Sequence, residues 1–178
     1  MGEHTKFKRV YREVDPQIYE NPDKVKRVVF CTGKIYYELA DEREKLNRKD
    51  IAIVRIEQLA PFPWDKVAEE CAHYKNAQIV WCQEEPKNMG AWSFVQPRIE
   101  TATRGNYKYL LIVNTNTNLV TYLVVNGAEK RPIYAGRKPS AATATGLGAR
   151  AHNAEQVLKL SLQPLLTSLS SSYYRVKF

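Results

Sequence analysis

The sequence predicts an α/β fold in which a mostly parallel β-sheet is covered by helices on both faces. Three short apolar runs rich in Val and Ile, at residues 27–32, 50–56 and 77–82, are the predicted strands. Helical segments separate these runs, and the joints between them are short. Strand, helix and strand in this order form a βαβ unit, whose parallel strands are linked by a right-handed crossover. Two such units follow each other, so a parallel sheet with helices on both faces is the expected core.

The first predicted helix follows Gly33, which ends the first strand, and covers residues 34–47. Its apolar side chains near one face are Ile35, Leu39 and Leu46. The charged stretch at residues 41–45, which includes Arg43, is expected to lie mostly in solvent.

The second predicted helix covers residues 66–74 and follows a proline-containing loop at residues 57–64. The two prolines of that loop remove backbone donors and favour extended conformations before them. Asp65 is the predicted N-cap, and Val67 and Cys71 are spaced to face inward. The third strand follows this helix.

The remainder of the chain predicts one more strand and one more helix. Residues 131–135 form a short β-rich run, and we expect Gly136 to end it. A loop of small residues at 139–148 leads to a C-terminal helix at residues 153–162. Pro164 limits the extension of that helix.

Length and composition are those of an intracellular globular domain. The chain has 178 residues, enough for one domain with its own core, and it has no apolar run of transmembrane length. The basic first 15 residues lack an apolar signal core, and their three acidic residues fit poorly with a transit peptide. The three cysteines, of which two lie in apolar runs, favour reduced thiols.

The charge balance is basic, with 27 Lys and Arg against 19 Asp and Glu, and the excess is spread along the chain. An RNA-binding module interleaves such charge with exposed aromatic residues on one face, and no motif of this kind occurs. We therefore interpret the excess as a solvated surface or a contact with an acidic partner protein, with no nucleic-acid or membrane partner.

The sequence shows no arrangement of residues that is typical of a catalytic or metal site. The three histidines have no ligand spacing, and no cysteine has a partner at a metal-site interval; these residues are His4, His73, His152, Cys31, Cys71 and Cys82. The sequence therefore predicts no catalytic, cofactor-binding or metal-binding residue.

The segment QEEPKNMGAW, residues 83–92, is the strongest candidate for a functional surface. It follows the third predicted strand, and ligands or partners of open α/β sheets lie beyond the carboxyl ends of such strands. Two carboxylates, an amide and a lysine occur together there with Met89 and Trp92. An acidic pair after a strand is also typical of a solvated strand end or of a helix N-terminus, and this alternative stays open on these letters alone.

Four ordered segments of the chain resemble one enzyme family. They are KRVVFCTGKIYYEL, DIAIVRIEQLAPFPWD, WCQEEPKNMGAW and RPIYAGRKPSAATATG. In order and spacing they are similar to the C-terminal domain of 2-oxoglutarate dehydrogenase, the thiamine-diphosphate-dependent decarboxylating component of the 2-oxoglutarate dehydrogenase complex. The similarity covers residues 6–102 and 131–162. It implies a transketolase C-terminal-like fold, a three-layer α/β/α sandwich, and in eukaryotes a place in the mitochondrial matrix.

The resemblance implies an activity for the parent enzyme rather than for this segment. The parent oxidatively decarboxylates 2-oxoglutarate in the tricarboxylic acid cycle and succinylates a lipoyl carrier, together with dihydrolipoyl succinyltransferase and dihydrolipoyl dehydrogenase. Relatives hold thiamine diphosphate and magnesium in domains that precede the matching part. No thiamine or magnesium ligand is carried over to this chain, and we expect the isolated chain to be inactive.

Relatives use this domain to support the neighbouring catalytic domain and to form part of a homodimer interface. We expect residues 83–92 to contribute to these contacts, because Trp and Met are enriched in protein interfaces. The predicted interface residues are Gln83, Glu84, Glu85, Asn88, Met89, Gly90 and Trp92. Two alternatives stay open: a non-catalytic assembly module of a 2-oxoacid dehydrogenase complex, and the homologue specific for 2-oxoadipate.

Some bacterial relatives bind acetyl-CoA near the segment that matches residues 58–66. A basic pair follows the glutamine in those relatives. This chain has Asp65 and Lys66 instead, a departure that argues against the regulatory site.

The predicted domain plan is a linker at residues 1–25, a transketolase C-terminal-like domain at 26–163 and a tail at 164–178. Met1 is either an internal methionine of a longer chain or the start of a shortened gene model. Within the domain, residues 106–130 depart from the family and predict an apolar β-hairpin with strands at 109–113 and 119–125. The codons for residues 105–107 can contain a splice-donor-like GT-AA-T. We interpret the insertion as a retained intron rather than as an adaptation.

Overall fold

A five-stranded, mostly parallel sheet is the centre of the structure, a computed structural model that describes residues 7–106, 112–114, 119–121, 125–126 and 130–142. Side chains are described for residues 7–104 and 130–142. The strands are β1 (Val10–Tyr11), β2 (Arg27–Cys31), β3 (Ile51–Ile56), β4 (Gln78–Pro86), β5 (Gly105–Asn106), β6 (Ile112–Asn114), β7 (Leu119–Thr121), β8 (Val125–Asn126) and β9 (Ile133–Arg137). The α-helices are α1 (Pro16–Tyr19), α2 (Ile35–Lys45), α3 (Trp64–His73) and α4 (Trp92–Arg104), and a 3-10 helix covers Pro22–Lys24.

The main sheet has the strand order β1-β3-β2-β4-β9. Strand β1 is antiparallel to β3, and the other neighbours are parallel. The predicted α/β fold with a mostly parallel sheet is confirmed. The chain moves from β2 to β3 in one direction and from β3 across β2 to β4 in the other. Right-handed crossovers in opposite directions place their helices on opposite faces of the sheet.

The two faces of the sheet bury separate apolar clusters, as this topology requires. Helix α2 covers one face, where its Ile35 and Leu39 pack with Val29, Ile53 and Val80. Helices α3 and α4 cover the other face. Their buried residues there are Val67, Cys71, Trp92, Val95, Ile99 and Ala102, packed with strand residues that include Phe30, Val54 and Trp81. Alternate residues of each central strand thus point to opposite layers of a three-layer sandwich.

Helix α2 corrects the predicted placement of two side chains. Leu46 lies one residue beyond the helix and is 51% exposed, whereas Arg43 is only 8% exposed. The Arg43 guanidinium forms a bidentate pair with Glu13, with distances of 2.5 Å and 3.1 Å to its two carboxylate oxygens. Glu13 lies 30 residues earlier in the chain. The local pattern of the helix cannot show such a distant partner, and it therefore predicted that Arg43 faces solvent.

Helix α3 begins slightly earlier than predicted, and Asp65 is not its N-cap. Pro63 occupies the cap position, which forms no side-chain cap hydrogen bond. Asp65 lies in the first turn, where its carboxylate pairs with Arg9 at 2.6 Å. Val67 and Cys71 are buried, as their spacing predicts.

Strand β4 is longer than predicted, and β9 has the predicted length but lies two residues further along the chain. Strand β4 continues to Pro86, with a register shift between Cys82 and Pro86. Strand β9 continues through Gly136, which we predicted would end it. A Cβ at Gly136 would meet the Tyr134 side chain and would lie 2.9 Å from the Gln83 carbonyl oxygen. This glycine therefore allows two backbones to approach closely within a continuing strand.

The predicted insertion at residues 106–130 contains antiparallel pairing. Strand β6 pairs with β7, and β5 pairs with β8, in two small two-stranded sheets. The pairing of β6 with β7 confirms part of the predicted hairpin, and the rest of its predicted strands lies outside the described residues. Its origin as an intron stays an interpretation. The predicted helix at 153–162, most of the loop at 139–148 and the tail at 164–178 lie outside the described residues. The domain boundaries stay predictions.

Candidate functional site

A groove lies where the carboxyl ends of β2, β3 and β4 meet. Its volume is about 390 Å³, and it opens on the sheet face that carries α4. The lining includes Thr32 after β2, the loop after β3, the end of β4 and the first turns of α4; its apolar members are Leu59, Ala60, Trp81, Ala91 and Phe94. The loop after β2 leads to one face of the sheet, and the loops after β3 and β4 lead to the other. This divergence leaves the crevice open, as at the switch points of doubly wound sheets.

Gln83 builds one wall of this groove. Its side chain is part of the interior, since the residue is 3% exposed. The carboxamide oxygen accepts two hydrogen bonds, from Trp81 Nε1 at 2.9 Å and from the Trp92 backbone N–H at 3.0 Å. The second bond satisfies a backbone donor at the first residue of α4, where helices leave such donors without an intrahelical partner.

The carboxamide nitrogen of Gln83 fixes the loop that follows. It donates to the Met89 carbonyl at 2.7 Å and lies 3.3 Å from the carbonyls of Glu85 and Pro86. A primary amide has two donor hydrogens and two acceptor lone pairs, so these contacts use its full capacity. Gln83 therefore holds the loop in shape and has no polar capacity left for a ligand.

Gly90 allows the loop to close over Gln83. Its φ of +66° lies in the left-handed region, where a side chain is strained. A Cβ at this position would lie 2.8 Å from Gln83 Nε2 and 3.0 Å from Glu85 Cβ. Both the backbone angle and the space around it thus require glycine.

Trp92 belongs to the interior of this chain. It is 7% exposed and packs in the cluster beneath α4, with its ring centroid 5.3 Å from that of Tyr134. The Tyr134 hydroxyl lies 2.8 Å from the Glu85 carbonyl and 3.0 Å from that of Arg137. Burial raises the pKa of Tyr134 to about 12, so this hydroxyl keeps its proton and donates.

The outer part of the loop is exposed and is tied to the segment after β9. Asn88 exchanges two hydrogen bonds with Ser140, from Asn88 Nδ2 to the Ser140 carbonyl at 2.9 Å and from the Ser140 N–H to Asn88 Oδ1 at 3.0 Å. Glu84 and Glu85 present their carboxylates to solvent, and Met89 is half-buried. We call these four residues the rim; of the four, Glu85 is in the lining of the groove itself.

The seven predicted interface residues therefore divide into two groups. Gln83 and Trp92 are buried and Gly90 closes the loop, so these three shape the edge from within the chain. Glu84, Glu85, Asn88 and Met89 form the surface that another molecule can reach. The interface role of the seven stays a prediction.

Sequence reasoning missed the other wall of the groove. Leu59 and Ala60 come from the loop after β3, and Phe94 comes from the first turn of α4. The proline-rich composition of residues 57–64 was the available signal, because it indicates an ordered, extended loop beside a strand end. Only the strand order brings that loop beside β4.

The histidine and cysteine side chains of the described residues pack within the fold. His73 lies 2.8 Å from the Tyr19 carbonyl through Nε2 and stacks on the Tyr19 ring at 4.5 Å. All three cysteines are free and buried, and burial raises the pKa of Cys71 to about 12. Burial raises the pKa of Cys31 as well, so these two thiols are protonated and poor nucleophiles at neutral pH. His4 and His152 lie outside the described residues.

No helix among the described residues is long and apolar enough to span a bilayer. The same residues contain no group of three or more His, Cys, Asp or Glu side chains placed to hold a metal ion.

Comparison with known proteins gives one consistent family. The family described as "2-oxoglutarate dehydrogenase C-terminal" matches residues 1–161. The mitochondrial 2-oxoglutarate dehydrogenase of Dictyostelium discoideum is 54% identical over 91 residues, which are 51% of this chain and 9% of that protein. The mitochondrial enzyme of Caenorhabditis elegans is 45% identical over 141 residues, 79% of this chain and 12% of the relative. The 2-oxoglutarate dehydrogenase E1 component of Brucella anthropi is 41% identical over 124 residues, 70% and 10% of the two chains. This chain thus spans about a tenth of the length of these relatives.

Proposed function

Because the chain belongs to the 2-oxoglutarate dehydrogenase C-terminal family, we propose that it serves as a docking domain of a parent that oxidatively decarboxylates 2-oxoglutarate and succinylates a lipoyl carrier. The relatives carry the name of that enzyme, and this chain matches about a tenth of their length. The function of the segment itself is to pack against the rest of the parent and to contribute to its homodimer.

The groove at the carboxyl edge carries this proposal. It is an apolar concavity at the sheet edge where α/β domains bind ligands and partners, and its rim bears Glu84 and Glu85. All hydrogen bonds of the Gln83 carboxamide are made within the chain and hold the loop, so the edge has a fixed shape before any contact forms. A pre-organised edge loses little conformational entropy on binding.

The proposed occupant of the groove is a segment of the parent polypeptide, from the same subunit or its dimer partner. The relatives contain a large polypeptide outside the matched part, so such a segment is available. The lining favours an aliphatic or aromatic side chain, and the acidic rim favours a neighbouring Lys or Arg. Glu84, Glu85, Asn88 and Met89 are the proposed contacts.

Thiamine diphosphate and magnesium belong to the proposed parent and not to the described part of this chain. A magnesium–diphosphate site needs oxygen ligands grouped around the cation, and the described residues offer no such group. These residues do not fit the cofactor, so no catalytic step is assigned to them.

The proposed surroundings follow from the same family. The relatives named as E1 components belong to a multi-enzyme complex, so we expect the succinyltransferase and the dihydrolipoyl dehydrogenase of that complex as partners of the parent. The two relatives named mitochondrial support a mitochondrial matrix location, and a bacterial relative is similar as well.

Charge reversal at the rim tests the docking role in the full-length parent. The variant Glu84→Lys/Glu85→Lys keeps the apolar lining of the groove but inverts the charge of its rim, so we expect the dimer dissociation constant to rise at least about tenfold, or about 1.4 kcal/mol. Sedimentation velocity over a dilution series measures this constant. The matched control is Glu20→Lys/Glu44→Lys, which changes the charge equally at two exposed positions away from the groove.

Wild-type association and wild-type 2-oxoglutarate decarboxylation in the rim variant would contradict the docking role.

The identity of the parent is tested by extending the transcript upstream. In-frame thiamine-binding domains support the enzyme, whereas their absence favours a non-catalytic assembly module. Decarboxylation of 2-oxoglutarate against 2-oxoadipate by the full parent distinguishes the two homologues.

A further inference from the structure

Basic residues that are scattered along the sequence meet at the amino edge of the parallel sheet. Each of the four parallel strands is preceded by at least one Lys or Arg within three residues of its start. Together they form a basic edge, defined by Lys24, Lys26, Arg48, Lys49, Lys75, Lys130 and Arg131. Parallel strands all begin at the same edge, so the topology converts an even distribution in sequence into one patch.

Backbone hydrogen bonds show that these loops are in direct contact. The Lys26 N–H donates to the Asp50 carbonyl at 2.9 Å, and the Gln78 N–H donates to the Lys26 carbonyl at 2.9 Å. The Lys130 ammonium donates to the Ala77 carbonyl at 3.1 Å and to the Lys75 carbonyl. The starts of β3, β2, β4 and β9 are thus joined side by side.

The local carboxylates offset only part of this charge. Arg48 pairs with Asp50 at 2.7 Å, Lys49 with Asp15 at 2.6 Å and Lys75 with Asp23 at 3.9 Å. Within the described part of the chain, the exposed residues Lys24, Lys26 and Arg131 have no carboxylate in ion-pair range. The basic edge therefore carries a clear positive excess.

A concave site lies within the basic edge. Its volume is about 540 Å³, and it combines three cations with three side-chain amides; its lining is Gln17, Asn21, Lys24, Asn47, Arg48, Lys49 and Asp50. Asn47 adopts a left-handed φ of +48° at the end of α2, which sets the turn that forms this wall. Ammonium, guanidinium and amide N–H groups are the donors that bind carboxylates.

We propose that the basic edge binds an extended acidic segment of a partner protein. Adjacent strands are about 4.8 Å apart, so four strands present cations over about 15 Å. An extended peptide rises about 3.3 Å per residue, so a run of about five residues rich in Asp and Glu matches this width. Leu46 and Ile133 are exposed on the same edge and fit an apolar residue beside the acidic run.

The aromatic residues favour a protein partner over RNA. The exposed aromatic residues of the described chain are Phe7, Tyr37 and Trp64, and they lie toward the carboxyl ends of the strands. The basic edge thus has no described exposed ring on which a base could stack, and stacking platforms are the usual feature of single-strand binding. This proposal uses the opposite edge from the docking groove and stands or falls separately from it.

Binding of a rhodamine-labelled hexaglutamate peptide to the 178-residue chain, measured by fluorescence anisotropy, tests the proposal. The variant Lys24→Gln/Lys26→Gln/Arg131→Gln removes the three exposed cations of the basic edge that pair with no carboxylate of the described residues. We expect its dissociation constant to rise at least about tenfold, and wild-type binding to weaken as salt is added. The control variant Lys34→Gln/Lys87→Gln/Lys138→Gln removes three exposed charges elsewhere and should change binding less than about twofold. Thermal unfolding of both variants checks that they remain folded.

Three results would overturn the proposal. The first is equal peptide binding by wild type and by the basic-edge variant. The second is the same loss of binding in both variants, which would reduce the effect to net charge. The third is tighter binding of a single-stranded oligonucleotide, or of phosphatidylserine vesicles, that the basic-edge variant abolishes, because the surface would then serve nucleic acid or membrane.

Discussion

Two segments that lie against the same sheet are held by different physics. The loop at residues 83–92 is fixed by the neutral carboxamide of Gln83, which bonds to backbone groups and one indole. The strap, defined as residues 9–19, pairs with β3 through the two residues of β1 and is held to the helices by charged side chains. Arg9 and Arg12 pair with carboxylates of α3, and Glu13 pairs with Arg43 of α2.

The innermost contact of the strap is the pair between Glu13 and Arg43. Glu13 also accepts hydrogen bonds from the Ile53 N–H at 2.7 Å and the Asp15 N–H at 2.9 Å. Arg43 also donates to the Ile51 carbonyl at 3.0 Å. Strand β1 pairs only with Arg55 and Ile56, so among the described residues no strand lies beside Ile53 on the outer side of β3. The Glu13 carboxylate accepts the hydrogen bond of the Ile53 N–H there.

The two kinds of contact respond differently to salt and pH. Hydrogen bonds from a carboxamide depend little on salt and pH, whereas the exposed pairs of the strap weaken when salt is added or when carboxylates are protonated. The hydrogen bonds of the Gln83 carboxamide, here called the clamp, therefore suit a docking edge that must keep its shape when salt or pH changes. The strap also contacts the loop that carries Leu59, because the Arg9 carbonyl accepts hydrogen bonds from the Glu57 N–H at 3.0 Å and the Gln58 N–H at 3.2 Å.

Removal of Arg43 should have the largest effect on stability. Arg43→Met leaves Glu13 charged and without its cation in a buried site, which costs about 3–5 kcal/mol. Chemical denaturation measures the loss. The double variant Glu13→Gln/Arg43→Met should recover part of it, because it removes the unpaired charge. A loss below about 1 kcal/mol in the single variant would show that water reaches this pair.

Replacement of Gln83 should come next. Gln83→Leu leaves the Trp92 N–H and the Met89 carbonyl without their partner, and we expect a loss of about 2–4 kcal/mol. Gln96→Leu is the control, because Gln96 is half-buried and its side chain bonds to Glu100 at 3.1 Å. Added salt should leave the difference between these variants unchanged. A salt-dependent difference would mean that the loop is held by charges after all.

Two glycines separate backbone strain from crowding in the loop. Gly33 and Gly90 have similar φ angles of +69° and +66°, but of these two only Gly90 has neighbouring atoms within 4 Å of the position that a Cβ would take. Gly33→Ala should cost about 1 kcal/mol, and Gly90→Ala should cost about 1–2 kcal/mol more because Gln83 must move. Unfolding free energies of the two variants provide the test. Equal losses would show that the clamp gives way without cost.

Glu70 provides the smallest effect and the pH test of the strap. Burial raises the pKa of this carboxyl above its ordinary value of 4.5, although Arg12 acts in the opposite direction. A raised pKa means that the folded state binds the proton more tightly, so the stability it contributes is present below pH 4.5 and is lost as the pH rises through the folded pKa.

Glu70→Gln should therefore match wild type in acid and gain stability, by no more than about 1 kcal/mol, near neutral pH. Unfolding measured over a pH series checks this. Glu69→Gln is the control, because Glu69 contacts the same Arg12 but is exposed. A loss at neutral pH in Glu70→Gln would show that the pair with Arg12 outweighs the burial of charge.

The sequence predicted the parallel strands and the segment at the carboxyl edge, because both depend on local patterns. Runs of β-branched residues need no distant partner to be recognised, and Gly90 marks a turn by itself. The placement of Arg43 was wrong because its partner Glu13 lies far away in sequence. The end of β9 was wrong because Gly136 marks a close contact with Gln83 rather than a turn.

The candidate site was predicted only in part for the same reason. Residues 83–92 were identified from composition, but the wall formed by Leu59 and Phe94 depends on strand order. The interior position of Trp92 depends on α4 starting at that residue, which no letter pattern near it specified. The basic edge likewise requires the topology, since its successive groups of cations are 22, 26 and 55 residues apart in the sequence.

Hydrogen–deuterium exchange tests the docking role of the carboxyl edge most directly, by comparing this chain alone with the same residues inside the full-length parent. The amides of residues 84–91 should exchange more slowly in the parent, because a neighbouring segment covers the groove, while those of the buried β2 should exchange equally slowly in both. Identical exchange of residues 84–91 in the two proteins would contradict the docking role.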